Sequence, residues 1–201
     1  MTITGGPSAC AVSDAMASLR LNGTISTLSA AASGEVAVGP AYTVRCVEGG
    51  SGAFNDYLPS VPAGSVVVID AGGRTDVSAW GGIISAEARR LGVRATVING
   101  ACRDVREMAD LGYQVFALGS TPASGRGVIS SDDVLVDLVI DGVTIRPGDT
   151  VVADADGVVV VPQDRADEVL DLAWSIAARD DALHALVRDG TSLRDARANL
   201  A

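Results

Sequence analysis

The sequence predicts an α/β fold with parallel strands at its centre. Three short runs of apolar and β-branched residues, at 66–69, 95–98 and 114–118, have the length and composition of buried strands. Two segments with helical spacing, 82–91 and about 103–110, separate these runs, and each is followed within two residues by a glycine that can end a helix. Strands and helices that alternate in this way form βαβ units, so we expect a central βαβαβ unit.

Shorter strands separated by turns are predicted in the last third of the chain. They lie at 134–140, 143–145, 151–153 and 158–161. The pair Asp141-Gly142 between the first two is a strong hairpin signal, because both residues tolerate the positive φ angles of a tight turn. Strands joined by such short turns indicate an antiparallel or mixed sheet beside the parallel one.

The two ends of the chain are predicted to add helices and one further strand region. Residues 13–19 have helix-forming content, and residues 35–47 alternate enough for one or two strands around Gly39-Pro40. From about residue 163 the chain is helical, with an apolar stripe that packs on the sheet or on a neighbouring subunit. The stripe consists of Val169, Leu172, Ile176, Leu183 and Val187. With no repeat or disordered linker visible, residues 1–201 are predicted to form a single domain.

The basic residues exclude several classes of chemistry. All 15 are arginines and the chain has no lysine, so neither a Schiff base nor the lysine of a Walker phosphate loop is available. The one histidine, His184, lies in the predicted C-terminal helix, which gives a Ser-His-Asp or Cys-His mechanism poor support. Three distant cysteines, Cys10, Cys46 and Cys102, fit reduced thiols better than a zinc site or disulfides. A metal would therefore be held mainly by oxygen, which favours Mg²⁺ or Mn²⁺.

Charge and hydropathy argue against two kinds of partner, nucleic acid and membrane, and indicate where the protein is located. The formal net charge of -10 argues against direct nucleic-acid binding, which depends on neutralising phosphates with basic residues. The longest apolar runs are far short of the ~20 residues that span a bilayer, so no membrane span is expected. The first residues lack the basic start and apolar stretch of an export signal, and we expect a cytoplasmic protein.

The candidate site lies in the two loops that follow the first two strands of the central unit. Ligands of α/β sheets bind outside the carboxyl ends of the strands, where helix N-termini offer free amides. The amides at the start of the first helix are predicted to receive a substrate carboxylate, and the second loop supplies a guanidinium and a carboxylate for a metal. These residues are Gly81, Gly82, Ile83, Ile84, Arg103 and Asp104.

Each of these features also has a purely structural interpretation. A Gly-Gly pair before a helix is most often turn geometry, and an Arg-Asp pair in a first helical turn is most often solvated. Trp80 could line the pocket or belong to the core, and Cys102 beside Arg103 could carry a reactive or an inert thiol. The stretch 154–157 (DADG) could suggest calcium but lacks the length and distal glutamate of an EF-hand loop, which favours a β-turn.

Several stretches in a fixed order match a family pattern. They are 39–44 (GPAYTV), 62–70 (PAGSVVVID), 80–88 (WGGIISAEA), 99–104 (NGACRD), 147–149 (PGD) and 153–162 (ADADGVVVVP). Through them the chain resembles the RraA-like family from about residue 13 to residue 162. The resemblance implies a swivelling β/β/α domain that assembles as homotrimers or hexamers, with sites near the subunit boundaries.

The resemblance also implies two kinds of function. One kind comprises divalent-metal-dependent aldolases that cleave 4-hydroxy-2-oxo acids to pyruvate and decarboxylate oxaloacetate. In these, the residue matching Asp104 holds the metal, that matching Arg103 contacts substrate, and amides matching Gly82 to Ser85 bind the pyruvyl carboxylate. The other kind comprises regulators that bind ribonuclease E and tend to lose the aspartate, which this sequence retains.

Two departures from the family pattern concern the substrate. Gly50-Ser51-Gly52 stands where Gly-Asp-Asn is frequent, and Asn99 stands where an aspartate is common. We therefore predict a metal-dependent pyruvate aldolase and oxaloacetate decarboxylase acting on a small 2-oxo acid of open identity, with Arg103 and Asp104 as catalytic residues. The alternatives are a non-catalytic regulator of a ribonuclease or other protein, and a diverged biosynthetic lyase.

Overall fold

Strands and helices alternate along the chain in a computed structural model that describes residues 6–32, 34–49 and 54–200. The strands are β1 (Thr24–Ile25), β2 (Ser29–Ala32), β3 (Ala37–Glu48), β4 (Val66–Trp80), β5 (Ala95–Cys102), β6 (Gln114–Ser120), β7 (Ile129–Val134), β8 (Leu138–Ile140), β9 (Val143–Ile145), β10 (Thr150–Asp154) and β11 (Gly157–Val161). The helices are α1 (Ala9–Ser18), α2 (Phe54–Tyr57), α3 (Gly82–Arg90), α4 (Val105–Asp110), α5 (Ala166–Arg188) and α6 (Leu193–Asn199), with short 3₁₀ turns at Leu58–Ser60 and Gln163–Arg165.

One mixed sheet organises the described part of the chain. Its strand order is β1-β11-β10-β3-β4-β5-β6-β2, with β7 also paired to β3. The strands β3, β4, β5 and β6 are parallel neighbours, which confirms the predicted α/β fold and its central βαβαβ unit. The strands β10 and β11 are antiparallel, and β3 joins the two regions by pairing first with β10 and then with β4. The strands β8 and β9 form a separate hairpin.

Both faces of the parallel strands are buried, which explains why their sequences are continuous apolar runs. Along β4, Val67 and Ile69 pack on the face covered by α3 and α4, whereas Val66 and Val68 face the hairpin β8–β9. All four side chains are fully buried. The helices α3 and α4 are therefore held against the sheet on the side from which the candidate site is built.

The terminal helices pack on the antiparallel part of the sheet. Buried residues of α1 and α5 form a cluster with Val152, Val159 and Val161. The predicted stripe of α5 is covered only in its first half, because Val169 is buried whereas Val187 is 43% exposed. The helix α1 begins before the predicted residue 13, since the Ser8 hydroxyl accepts the Ala11 N–H at 3.2 Å.

The predicted loop at 70–82 and the predicted turn at 99–102 are both wrong, because β4 and β5 continue to Trp80 and Cys102. The two strands remain paired across three register shifts. The first shift lies between Asp70 and Arg74, where Gly72 and Gly73 adopt positive φ angles of 65° and 73°. The helix predicted from residue 103 begins at Val105, because Asp104 has a left-handed backbone with φ 57°. These differences arise from tertiary pairing between distant strands, which local composition does not report.

Further along the chain, the strand predicted at 134–140 is also wrong as a single element. Leu135 has a φ of 55°, which ends β7 before β8 begins. The hairpin predicted at Asp141-Gly142 is confirmed, with positive φ at both residues as a type I′ turn requires. Around Gly39-Pro40 the chain forms one strand, and a side chain at Gly39 would collide with the Gly64 carbonyl oxygen.

Two buried carboxylates hold turns of the antiparallel region. Asp149 accepts the N–H groups of Arg146 and Gln163 at 2.8 and 3.0 Å. Asp154 accepts the N–H groups of Ala9 and Asp156 at 2.8 and 3.0 Å, which ties α1 to the turn between β10 and β11. The stretch 154–157 is thus the β-turn that the sequence favours over a calcium loop. Within the described residues, no helix is long and apolar enough to cross a bilayer.

Candidate active site

The two predicted loops lie side by side at the carboxyl ends of β4 and β5. Trp80 and Cys102 are partners in the parallel register, and the N–H of Arg103 donates to the Trp80 carbonyl at 2.9 Å. The residues that follow each strand are consequently adjacent, and the structure brings Gly81 and Gly82 against Arg103 and Asp104 as the sequence predicts.

The Asp104 carboxylate links the two loops. Its Oδ2 accepts the N–H of Gly82, the first residue of α3, at 3.1 Å and lies 3.3 Å from Nε of Arg103. Both side chains are 37% exposed, so the pair remains accessible to a ligand. A negative charge at a helix N-terminus is favoured by the helix dipole, and a left-handed non-glycine residue commonly marks a functional position.

Gly81 is a glycine because the Arg-Asp pair packs directly on it. A Cβ at this position would fall 2.7 Å from Oδ2 of Asp104 and 3.1 Å from Cγ of Arg103. The Gly81 backbone is extended, with φ -161°, so the requirement is for space rather than for an unusual conformation. Gly81 therefore contributes room for the pair.

A buried hydrogen-bond network fixes the start of α3. The Trp80 indole N–H donates to the Ser85 hydroxyl at 2.8 Å, and that hydroxyl donates to the Gly81 carbonyl at 2.9 Å. The Ser85 N–H donates to the same carbonyl at 3.1 Å. Trp80 is thus a core residue, and both polar groups of Ser85 are engaged within the protein, which leaves its predicted substrate contact without a free donor.

The amides of Ile83 and Ile84 also lie at this helix start. They belong to the first turn of α3, whose N–H groups have no acceptor within the helix. The Ile83 side chain is 81% exposed, so this turn is open to solvent. Because the N–H groups of Gly82 and Ser85 donate within the protein, the amides of Ile83 and Ile84 are better placed than these two to receive the predicted carboxylate.

A third loop completes a depression beside the Arg-Asp pair, and the sequence reasoning did not include it. A cavity of about 380 Å³ is lined by Arg103, Asp104, Val105, Ser120, Thr121 and Pro122. The N–H of Thr121 donates to the Cys102 carbonyl at 2.9 Å, which holds this loop next to the second one. The sequence did contain a signal for this loop, since it follows β6, the strand predicted at 114–118, and the same carboxyl-end rule applies to that strand.

Comparison with known proteins identifies the family of this chain. Residues 9–160 match the family model described as "RraA-like: Aldolase/RraA". The chain belongs to the RraA-like family. A protein of Halalkalibacterium halodurans named "Putative 4-hydroxy-4-methyl-2-oxoglutarate aldolase" is 34% identical to it over 184 residues, which cover 91% of this chain and 85% of that protein. Protein DlpA of Legionella pneumophila is also 34% identical over 92% of this chain, but the chain spans only 31% of its length.

Solved structures have the same fold. An uncharacterized protein from Pseudomonas syringae pv. tomato aligns with a TM-score of 0.88 and 34% identity, covering 95% of this chain and 92% of that one. Streptomyces coelicolor RraAS2, described as an unusual member of the RNase ES inhibitor RraA protein family, aligns with a TM-score of 0.78 and 27% identity over 87% of this chain and 90% of that one.

The environments of Cys102 and His184, the other reactive side chains singled out in the sequence, do not favour a catalytic role. Burial raises the pKa of the Cys102 thiol, and the nearby Asp104 carboxylate raises it further, which favours an inert thiol. The Cys102 thiol donates to the Gly119 carbonyl at 3.6 Å. His184 is exposed on α5, a helix that packs against α1.

Asn99, where the chain departs from the family pattern, makes its side-chain contact within the sheet. Its side-chain amide donates to Oδ1 of Asp70 at 2.8 Å, and these residues are partners in the register of β4 and β5. An aspartate at position 99 would instead place two carboxylates against each other. The other departure, Gly50-Ser51-Gly52, lies outside the described residues.

The donor groups at the site have the chemistry that a hard cation requires. Within residues 6–32, 34–49 and 54–200, no group of three or more His, Cys, Asp or Glu side chains is arranged to hold a metal. Mg²⁺ commonly binds proteins through one or two carboxylates and retains several waters, so it does not need such a cage. The exposed Asp104 carboxylate, beside glycines that leave room around it, is a ligand of the type that Mg²⁺ or Mn²⁺ accepts.

Proposed function

We propose that this RraA-like protein is a divalent-cation-dependent carbon–carbon lyase that releases pyruvate from a 4-hydroxy-2-oxo acid and also decarboxylates oxaloacetate. The observation that carries the proposal is the convergence of Arg103 and Asp104 on the N-terminus of α3. This arrangement joins a helix start that can receive an anion, a guanidinium and a carboxylate that can accept a cation at one accessible point. Relatives that carry the name "Putative 4-hydroxy-4-methyl-2-oxoglutarate aldolase" support the same reaction class.

The protein groups would bind the substrate through its 2-oxo acid end. The amides of Ile83 and Ile84 would receive the carboxylate, because both lie in the first turn of α3 where the helix dipole favours negative charge. The Arg103 guanidinium would donate to the 2-oxo oxygen. The cavity beside Ser120, Thr121 and Pro122 leaves space for the part of the substrate beyond the scissile bond.

The reaction breaks the bond between C3 and C4 of the substrate. The C4 hydroxyl loses its proton and becomes a carbonyl, while the bonding electrons move toward C3 and the 2-oxo oxygen, and protonation at C3 then yields pyruvate. Mg²⁺ or Mn²⁺ bound at Asp104 would supply Lewis-acid stabilisation of the charge on that oxygen. Arg103 stabilises the same charge through a hydrogen bond that strengthens as the charge develops.

Turnover is expected to require a divalent cation and to proceed without a covalent amine adduct. Oxaloacetate decarboxylation and pyruvate release from 4-hydroxy-4-methyl-2-oxoglutarate should be measured with Mn²⁺, with EDTA, and after the cation is restored. Since the chain has no lysine, borohydride in the presence of pyruvate should leave its intact mass unchanged. Turnover that survives EDTA, or a stable reduced adduct, would contradict the proposal.

A second candidate function is regulation of a ribonuclease through a protein contact. The structural similarity to RraAS2 favours it, because that protein is described as belonging to an RNase inhibitor family. Retention of Asp104 favours the enzyme. Capture of ribonuclease E by the purified protein, with no turnover of either 2-oxo acid, would select the regulator. If the protein neither captures ribonuclease E nor turns over these two 2-oxo acids, but does turn over a different class of substrate, it is a diverged lyase.

We also propose that the protein assembles as a homotrimer or hexamer. The helix α5 leaves Trp174 and Val187 on the surface, 36% and 43% exposed, which is apolar area that a neighbouring subunit could cover. Light scattering coupled to size-exclusion chromatography should give a mass of three chains or a multiple of three. An active monomer at micromolar concentration would contradict the proposal.

A further inference from the structure

A second carboxylate, that of Glu107, lies at the start of α3. Gly82 is the first residue of this helix, and a Cβ there would fall 2.8 Å from Oε1 of Glu107 and overlap its Oε2. The Glu107 carboxylate therefore occupies the space that a side chain at Gly82 would fill. Because Gly82 also donates its N–H to Asp104, the two carboxylates contact the same residue from α4 and its N-cap.

Two of the three charged side chains named here, Arg103 and Asp104, pair with each other, and Glu107 does not share in that pair. Asp104 lies within ion-pair distance of Arg103, so these two formal charges cancel. Among the described residues, no ion-pair partner is found for Glu107; the neighbouring Arg106 lies 3.9 Å from Asp110 instead. The formal charge of Arg103, Asp104 and Glu107 together is therefore -1, and Glu107 is the source of the excess.

We propose that Glu107 is a second acidic residue of the cation site, beside Asp104, and that Gly82 is a glycine so that Glu107 can reach it. The proposal rests on the cation dependence proposed above. With Arg103 offsetting Asp104, a divalent cation would meet little net attraction unless a further negative charge lay close by. Glu107 supplies that charge, bound to the cation directly or through one of its waters, as Mg²⁺ sites allow.

Cation affinity without any substrate tests this proposal. Mn²⁺ should be titrated into the full-length protein by calorimetry, with free Mn²⁺ followed by electron paramagnetic resonance. Glu107→Gln keeps the shape of the side chain and removes its charge, and it should bind Mn²⁺ about 10-fold more weakly or worse, the range found for outer ligands of metal sites. The matched control is Asp110→Asn, which removes one negative charge from the same helix one turn further on and should bind like the wild type.

A second variant tests the role of Gly82. Gly82→Ala places a methyl group where the Glu107 carboxylate lies, so it should displace that side chain and weaken Mn²⁺ binding to a similar extent. Combined with Glu107→Gln it should add little further loss, because both changes remove one interaction. Thermal unfolding of each variant separates this effect from loss of the fold, since alanine is favoured over glycine in a helix.

The outcomes distinguish this inference from the proposed function. Wild-type protein that binds no Mn²⁺ overturns both. Wild-type binding with an unchanged Glu107→Gln variant overturns only the role of Glu107. If Asp110→Asn weakens Mn²⁺ binding as much as Glu107→Gln does, the effect is a general one of acidic charge, and the role of Glu107 is again overturned. If the losses of Mn²⁺ affinity in Gly82→Ala and Glu107→Gln add up in the double variant, the explanation of Gly82 is overturned.

Discussion

Asp104→Asn is expected to lose most of its affinity for Mg²⁺ or Mn²⁺ and to abolish turnover at ordinary metal concentrations. The substitution removes the charge that would hold the cation but keeps an oxygen that can accept the Gly82 N–H, now 3.1 Å from Oδ2. Asparagine also tolerates the left-handed backbone at this position, where φ is 57°. We expect at least ~10²-fold weaker binding, the upper range for residues that only support a metal, with partial rescue at high metal concentration. Calorimetric titration and steady-state decarboxylation measure both effects.

A comparison with Asp104→Ala separates charge from conformation. Alanine loses the charge as well, but a non-glycine residue without a hydrogen-bonding side chain costs roughly 1–2 kcal/mol in the left-handed conformation. Asp104→Ala should therefore match the asparagine variant in metal binding and fall below it in thermal stability. Near-native turnover in either variant would show that Asp104 only accepts the N–H at the start of α3 and has no role in binding the cation or in catalysis.

Arg103→Lys is expected to keep the affinity for the cation and to lose ~10²-fold or more in kcat, the loss typical of removing one oxyanion donor. Lysine retains the positive charge near Asp104, but it is a point charge without the planar fork of a guanidinium. Because Nε of Arg103 is the nitrogen that lies 3.3 Å from Asp104, the terminal nitrogens are the ones proposed to contact substrate.

The matched control for this variant is Arg106→Lys. Arg106 lies on α4 and its side chain is 95% exposed, so the same substitution there should leave kcat and KM close to the wild type. A loss confined to KM in Arg103→Lys would indicate ground-state binding rather than stabilisation of developing charge. Near-native turnover in variants of both Arg103 and Asp104 would show that the pair is structural and that the active site lies elsewhere.

Much of the fold could be predicted because buried parallel strands have continuous apolar sequences. Residues 66–69, 95–98 and 115–117 are buried within the sheet, and each of these stretches is short and almost wholly apolar for that reason. The hairpin at Asp141-Gly142 was predictable because a type I′ turn needs two residues that accept positive φ. In contrast, the length of β4 could not be predicted, because its last residues form a strand only through pairing with β5.

By itself the sequence determined the α/β order of strands and helices, the absence of lysine chemistry, and the adjacency of the Gly81-Gly82 and Arg103-Asp104 loops. Local composition and the carboxyl-end rule carry that information. Only the tertiary structure decided what each residue does there. It engages Ser85 in a buried network, adds the loop at Ser120 to the site and brings Glu107 onto Gly82, because these contacts join residues far apart in the chain.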